Sequence, residues 1–270
     1  ATHAHTDAQP DPVSMPVSHF SLRVLATLLW ILSPLAARAA HPLITEDTGT
    51  QGQGNFQAEL TNEQFTIEED AGKQKLALTV LTLSYGVVDT VDLIVSAPYL
   101  KLGASESNGT PGTQGMGDIG LDVKWRFYDE DKLSIAIKTG VTFPTGDDVL
   151  NLGAGRHTWS AYIVSSYALE QWAFHLHLGH FHFSNEFNDR VNIWHASAAV
   201  ERKLGDGLRI VIDAGVDTNT DPEANNELVF LITGLIYSPR PNLDLDVGYK
   251  IESTDTLRAN GLLTGITLRW

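Results

Sequence analysis

The chain has 270 residues, no cysteine and a formal net charge of −15. The missing cysteines exclude disulfides, thiolate metal sites and a cysteine nucleophile. The acidic balance argues against nucleic acid, whose phosphates call for lysine and arginine, and no run after residue 40 approaches the roughly 18 apolar residues of a membrane-spanning helix.

In chain order, residues 15–40 read first, as a secretory signal peptide. Met15 is a plausible start, Arg23 gives a positive n-region, and residues 24–32 form a short apolar stretch. Ala37-Arg38-Ala39 fits the small-x-small cleavage rule, with the cut expected after Ala39. The chain then divides into an upstream tail plus cleaved signal peptide at 1–39, an irregular Gly-, Thr- and Gln-rich segment at 40–54, and a barrel at 55–270.

Twelve strands are predicted after residue 54, near 55–67, 75–88, 91–102, 117–128, 132–143, 158–169, 172–183, 192–204, 208–218, 227–237, 242–252 and 257–270. Three alternate cleanly, and period 2 puts their two sets of residues on opposite faces. The fourth sets Ile119, Leu121, Val123, Trp125 and Phe127 against Asp118, Gly120, Asp122, Lys124 and Arg126. The fifth and eleventh behave alike, for example Leu243, Leu245, Val247, Tyr249 and Ile251 against Asp244, Asp246, Gly248, Lys250 and Glu252. The second and tenth alternate poorly. In the seventh, Phe181 and Phe183 break the order set by Trp172, Phe174, Leu176 and Leu178, which predicts a bulge near Gly179.

The connections after even-numbered strands are tight, such as Asp89-Thr90 and Glu170-Gln171, while those after odd-numbered strands read as mostly long, such as 103–116 and 144–157. Short periplasmic turns and longer external loops are the habit of outer-membrane barrels, and an even strand number leaves both termini periplasmic. The fold expected is therefore all-β: a transmembrane antiparallel up-and-down barrel of about 12 strands preceded by a signal peptide. Aromatic girdles fit the same picture, because amphipathic rings suit the headgroup boundary. Tyr85, Phe127, Tyr167, Trp172, Tyr237 and Trp270 fall near one rim, and Phe65, Tyr99, Phe143, Trp159, Phe183 and Tyr249 near the other.

The C-terminal strand, with Gly265, Leu268 and Trp270, resembles the signal by which outer-membrane barrels are recognised for assembly; Leu263 departs from its usual polar residue. The mature chain is similar to the barrel family called "MetA-pathway of phenol degradation". The residues that carry this are His41-Pro42-Leu43-Ile44-Thr45-Glu46-Asp47-Thr48-Gly49-Thr50 with Gly54-Asn55-Phe56-Gln57, then Ala97-Pro98-Tyr99-Leu100, Gly115-Met116-Gly117-Asp118-Ile119, and Phe143-Pro144-Thr145-Gly146-Asp147 with Gly153-Ala154-Gly155. The resemblance implies a barrel with a transport role and brings no catalytic residues with it.

The expected inward face carries Asp118, Asp122, Lys124, Arg126, Lys138, Glu201, Arg209, Asp213, Asp244, Asp246 and Lys250. Charges in a dry core are very costly, so water fills the barrel or paired networks plug it. About eight strands leave an interior just filled by side chains and about 16 leave a channel; twelve lies between. His175 and His177, of five histidines that include His180, His182 and His195, share a strand face and join the lumen lining in this reading; the cluster falls in a polar lumen or at the rim, and no third metal ligand is fixed. His182, Ser184 and Asn192 are the residues a phospholipase-like barrel would use. Glycines at 153 and 155 suggest a flexible loop, with no strand-to-helix context for a phosphate site.

The expected function is passive diffusion of small, hydrophobic or aromatic molecules, with a lumen gated by loops 103–116 and 144–157 and lined by the charges above. No cofactor, metal or catalytic residue is called for. The expected partners are outer-membrane lipid and lipopolysaccharide, the barrel assembly machinery and a small-molecule solute. The alternatives are a lipid-modifying barrel enzyme, a structural barrel without an open pore, and a soluble periplasmic barrel.

Overall fold

The computed structural model describes residues 41–69, 72–104 and 111–270. The expected signal peptide and the tail before it lie outside these residues. Thirteen strands form one sheet: β1 (Phe56–Glu69), β2 (Gly72–Val88), β3 (Val91–Leu102), β4 (Thr113–Met116), β5 (Ile119–Glu130), β6 (Leu133–Phe143), β7 (Thr158–Ala168), β8 (Trp172–His182), β9 (Asn192–Gly205), β10 (Leu208–Asp217), β11 (Leu228–Arg240), β12 (Leu243–Ser253) and β13 (Leu257–Arg269). Each pairs antiparallel with its neighbours, and β1 pairs with both β2 and β13. The sheet therefore closes into a barrel.

β4 and β5 are one staircase of the wall, interrupted at Gly117-Asp118. β3 pairs with β5 through residues 91–96 and with β4 through residues 99–102. The barrel accordingly has twelve staves. The end carrying the tight turns and both strand termini is called the turn end below, and the other the loop end.

Two expected long connections are short. β1 and β2 are separated by two residues, and β12 and β13 by three. The turn that joins β9 to β10 is as tight as expected; Gly205, Asp206 and Gly207 all have positive φ, 101°, 48° and 78°, the backbone hand that matches strand twist. Register shifts occur at Gly86/Val88, Arg126/Tyr128, Leu208/Arg209 and Tyr237/Arg240, all toward the turn end.

No bulge interrupts β8. Gly179 pairs in unbroken register with Tyr162 on one side and His195 on the other. Phe181 and Phe183 keep the phase of the strand and point inward, where both are buried. The sequence signal at this place was a change in the chemistry of the interior, not in the backbone.

The outward face is a continuous apolar band that includes Leu83, Leu93, Val123, Trp125, Ile163, Leu178, Ile212, Leu231, Val247 and Leu262, all exposed. Unsatisfied backbone groups cannot face hydrocarbon, and closure plus this band meets that demand. Of the expected girdle, Tyr85, Phe127, Tyr167, Trp172, Tyr237 and Trp270 are exposed at the turn end, and Tyr99, Phe143, Trp159 and Tyr249 stand on the outer face toward the loop end. Phe65 and Phe183 do not join it; they are buried inside the barrel.

Candidate functional site: the barrel interior

The irregular segment before β1 lies inside the barrel. Apart from Pro42, Leu43 and Ile44 its residues are polar, charged or glycine, it forms no strand, and the inner wall meets many of its donors and acceptors, while Leu43 packs on Ala199, Val211 and Ile236. His41 binds Asp246 on β12. The carboxylate of Asp213 on β10 accepts the amides of Ile44 (2.6 Å) and Thr45 (2.8 Å) and the Thr45 hydroxyl (2.6 Å). Glu46 bridges Lys124 of β5 and Lys138 of β6. Thr48 meets Ser134 and Ser166, and the Gln51 amide donates to Asp92 at 3.0 Å. The segment thus spans from β12 to β3, dips to mid-barrel at Thr45 and Glu46, and leaves at the turn end. Glu46 is 2% exposed, so its two lysines are its main solvation. A buried charge of this kind is tolerable only when paired.

The wall is shaped to receive the segment. A Cβ on Gly234 would lie 2.6 Å from the Pro42 ring, and one on Gly248 would lie 2.7 Å from it. These glycines face each other across β11 and β12, so their missing side chains make a slot for Pro42. Gly265, singled out for barrel assembly, likewise faces His41 and Asp246.

The remaining predicted lining residues divide by level. Asp122, Lys124, Lys138, Asp213, Asp244, Asp246 and Lys250 are all buried inside the wall. Asp244 takes Arg209 and Arg269 at the turn end, Arg209 also takes Glu201 at 2.9 Å, and Lys250 pairs with Glu252. Arg126 sits near the turn-end rim against Asp129 at 3.3 Å. Asp118 lines no open path. It accepts the amides of Gly146 (2.9 Å) and Ala154 (2.8 Å), and so fixes the loop between β6 and β7.

The five histidines separate. His175, His177 and His195 point inward, while His180 and His182 flank Trp159 and Trp194 on the outer face. His175 Nδ1 meets Ser166 at 2.8 Å and its Nε2 lies 3.6 Å from Glu201. Among the described residues no three histidine or carboxylate groups converge on a metal geometry. His182 does reach Asn192 at 3.2 Å, but β8 ends at His182 and Ser184 is already in the loop.

A different trio is aligned inside. His195 Nδ1 is 2.5 Å from Asp217, its cross-strand partner, and Nε2 is 2.8 Å from Ser197. Ser197 continues at 2.7 Å to Thr45 of the segment. The rings of Tyr162, His177 and Phe230 surround the imidazole. With Ser197 covered by Thr45, the chain of bonds tethers the segment to β9 and β10.

Toward the loop end the interior changes character. Phe65, Ile67, Leu76, Leu78, Val80, Leu100, Leu102, Phe230, Ile232, Leu257, Ala259 and Leu263 form one buried cluster, which Leu152 from the β6–β7 loop joins. Phe181, Phe183 and Ile193 form a second with Ala154 of the same loop. The loop at 144–157, held by Asp118, folds over this apolar half. Sequence reading missed this lining, and the signal for it was present: β2 and β11 alternate poorly because both of their faces are apolar there.

The barrel is similar to known outer-membrane structures. An outer membrane channel from Pseudomonas putida F1 matches with a TM-score of 0.69 at 16% identity, over 83% of this chain and 98% of that one. The NanC porin matches at 0.54 and 12% identity, over 77% and 98%. The transport unit of the autotransporter AIDA-I from Escherichia coli matches at 0.51 and 10%, over 90% and 96%. At these identities the likeness is one of fold: an outer-membrane β-barrel. No curated protein matches the sequence. The model of the family described as "Putative MetA-pathway of phenol degradation" matches residues 40–269, and the chain belongs to that family.

Proposed function

We propose that the barrel is a passive outer-membrane channel for small apolar molecules, aromatic ones included, with both termini on the periplasmic side. The observation that carries this reading is the apolar inner wall at the loop end. An inner face built for ions or sugars would spend its positions on polar groups; Leu76, Leu78, Leu100, Phe230 and Leu263 instead offer a surface that favours a hydrophobic solute over water. The family description, with its reference to phenol degradation, supports the same class of solute. Every connection at the end that holds the strand termini is short, while the longer loops all lie at the other end, which supports a periplasmic placement of the first.

In this reading a solute enters past the β6–β7 loop, partitions into the apolar half, and leaves at the turn end past the segment at 41–54. Passage needs only a gradient and the displacement of loop and segment. The lining charges at the segment's level, Lys124, Lys138 and Asp213 among them, hold the segment rather than the solute. The reading involves no chemistry on the solute. A structural barrel without a pore is the second reading, favoured by the presence of the loop at one end and the segment at the other. Reconstitution separates the two: accumulation of a labelled aromatic hydrocarbon in proteoliposomes faster than in protein-free vesicles supports the channel, and equal rates support the closed barrel.

A further inference from the structure

The outer wall carries a groove of about 720 Å³, within the roughly 300–1,000 Å³ of ordinary ligand pockets. It crosses the lipid-facing side of β6 to β10. In one register row stand Ile137, Ile163, Leu178, Ala196 and Val216, with Ala161, His180, Trp194 and Thr218 in the row nearer the loop end. Side chains of these residues alternate outward by the phase of their strands. The depression exists because Ala161 and Ala196 replace the large residues that cover the wall elsewhere in the band. Trp194, 65% exposed, stands at its edge with His180 packed against its ring, centroids 4.7 Å apart. Tyr162, Gly179, His195 and Asp217, the inward-phased residues of the same strands, complete its floor, and the outward polar groups His180 and Thr218 gather with Glu227 at the end nearer the rim.

We infer that this groove is a binding site for a single hydrocarbon chain of a membrane lipid. It is continuous with the apolar band that faces lipid, so whatever fills it comes from the hydrocarbon of the bilayer. Its mainly apolar surface suits a chain, and its polar end, lying toward the interface, suits the ester and headgroup region of the same molecule. Ordinary annular lipid would cover the band evenly; a recess of this size holds one chain longer than its neighbours. The inference is independent of whether the lumen conducts.

The test places the full barrel in nanodiscs of phosphatidylethanolamine and phosphatidylglycerol in which a fraction of acyl chains carries a diazirine. After irradiation, cross-links are mapped by peptide mass. The inference expects them enriched several-fold at residues 161–163, 178 and 194–196 over band residues of matching depth on β13 and β1. Ala196→Trp, which fills the recess, should abolish the enrichment, while Leu262→Trp on the far wall should leave it intact. Cross-links spread evenly around the band in the wild-type protein would overturn it, as would an enrichment unchanged in a folded A196W barrel. Should A196W fail to fold, the wild-type map decides alone.

Discussion

The turn-end and loop-end halves of the interior solve one problem in opposite ways. At the turn end the wall is mostly polar, and a resident peptide meets several of its buried charges: Glu46 between Lys124 and Lys138, Asp213 beneath Ile44 and Thr45. At the loop end the wall is largely apolar and packs on itself and on Leu152, around the buried Lys250–Glu252 pair that lies over Phe65 and Phe230. The difference teaches that a barrel of this width can be filled by paired polar groups or by hydrocarbon, and that only the second offers an apolar solute a place to partition. It also separates what holds the segment from what a solute would touch.

The sharpest way to break this comparison is at Glu46. Glu46→Ala leaves Lys124 and Lys138 buried without their shared carboxylate, and removing one partner from such a network costs about 3–5 kcal/mol. Urea unfolding of the barrel in detergent should show that loss. Leak of small hydrophilic solutes should rise with it, because the segment loses one of its two mid-barrel anchors, the other being Thr45 on Asp213. An unchanged midpoint and leak would mean that the segment is held elsewhere.

Leu78→Ala probes the other half. Leu78 is 0% exposed, and truncating a packed leucine costs roughly 2–5 kcal/mol. If the apolar wall faced a water-filled lumen instead, the substitution would cost little. The same unfolding experiment reads the difference directly.

Gly248→Val tests the slot for Pro42. A Cβ there would stand 2.7 Å from the proline ring, and overpacking of this kind costs typically about 1–3 kcal/mol. The cost should vanish in a barrel that lacks residues 41–53. Persistence of the full cost in that truncated barrel would show that Gly248 is constrained by β11 or β13 and not by the segment.

The smallest effect is expected outside the membrane, in the loop between β8 and β9. Burial, with Asp221 nearby, pushes the Asp189 carboxyl up to about 7. A carboxyl raised in the folded state favours folding while protonated, and that stability is lost as pH rises through about 7. Amide exchange in residues 183–191 should therefore be slower at pH 6 than at pH 8, beyond the intrinsic pH effect. Asp189→Asn should remove the excess.

Much of the fold was legible because a polar interior writes itself as alternation. β5, β6 and β12 read cleanly since Asp122, Lys124, Lys138, Asp244 and Asp246 face inward against apolar outward neighbours. Where the interior is apolar the signal disappears, which is why β2 and β11 looked irregular and why Phe181 mimicked a bulge. Most of the inward charges lie buried inside the barrel, but their partners were not legible. Glu46 and Thr45 precede the barrel in sequence, and no local pattern says that an irregular segment folds back by more than 70 residues to meet Lys124. The Asp217–His195–Ser197 alignment was hidden for the same reason: two of its members share a strand, and the third arrives only through cross-strand register.

The central claim is that the interior favours apolar solutes, and a paired uptake assay tests it most directly. Wild-type barrel in proteoliposomes would be offered a labelled aromatic hydrocarbon and a sugar of similar size. The account predicts protein-dependent entry of the hydrocarbon with little entry of the sugar, and a larger sugar flux once residues 41–53 are removed. Rapid sugar entry through the intact barrel, with no protein-dependent entry of the hydrocarbon, would contradict it.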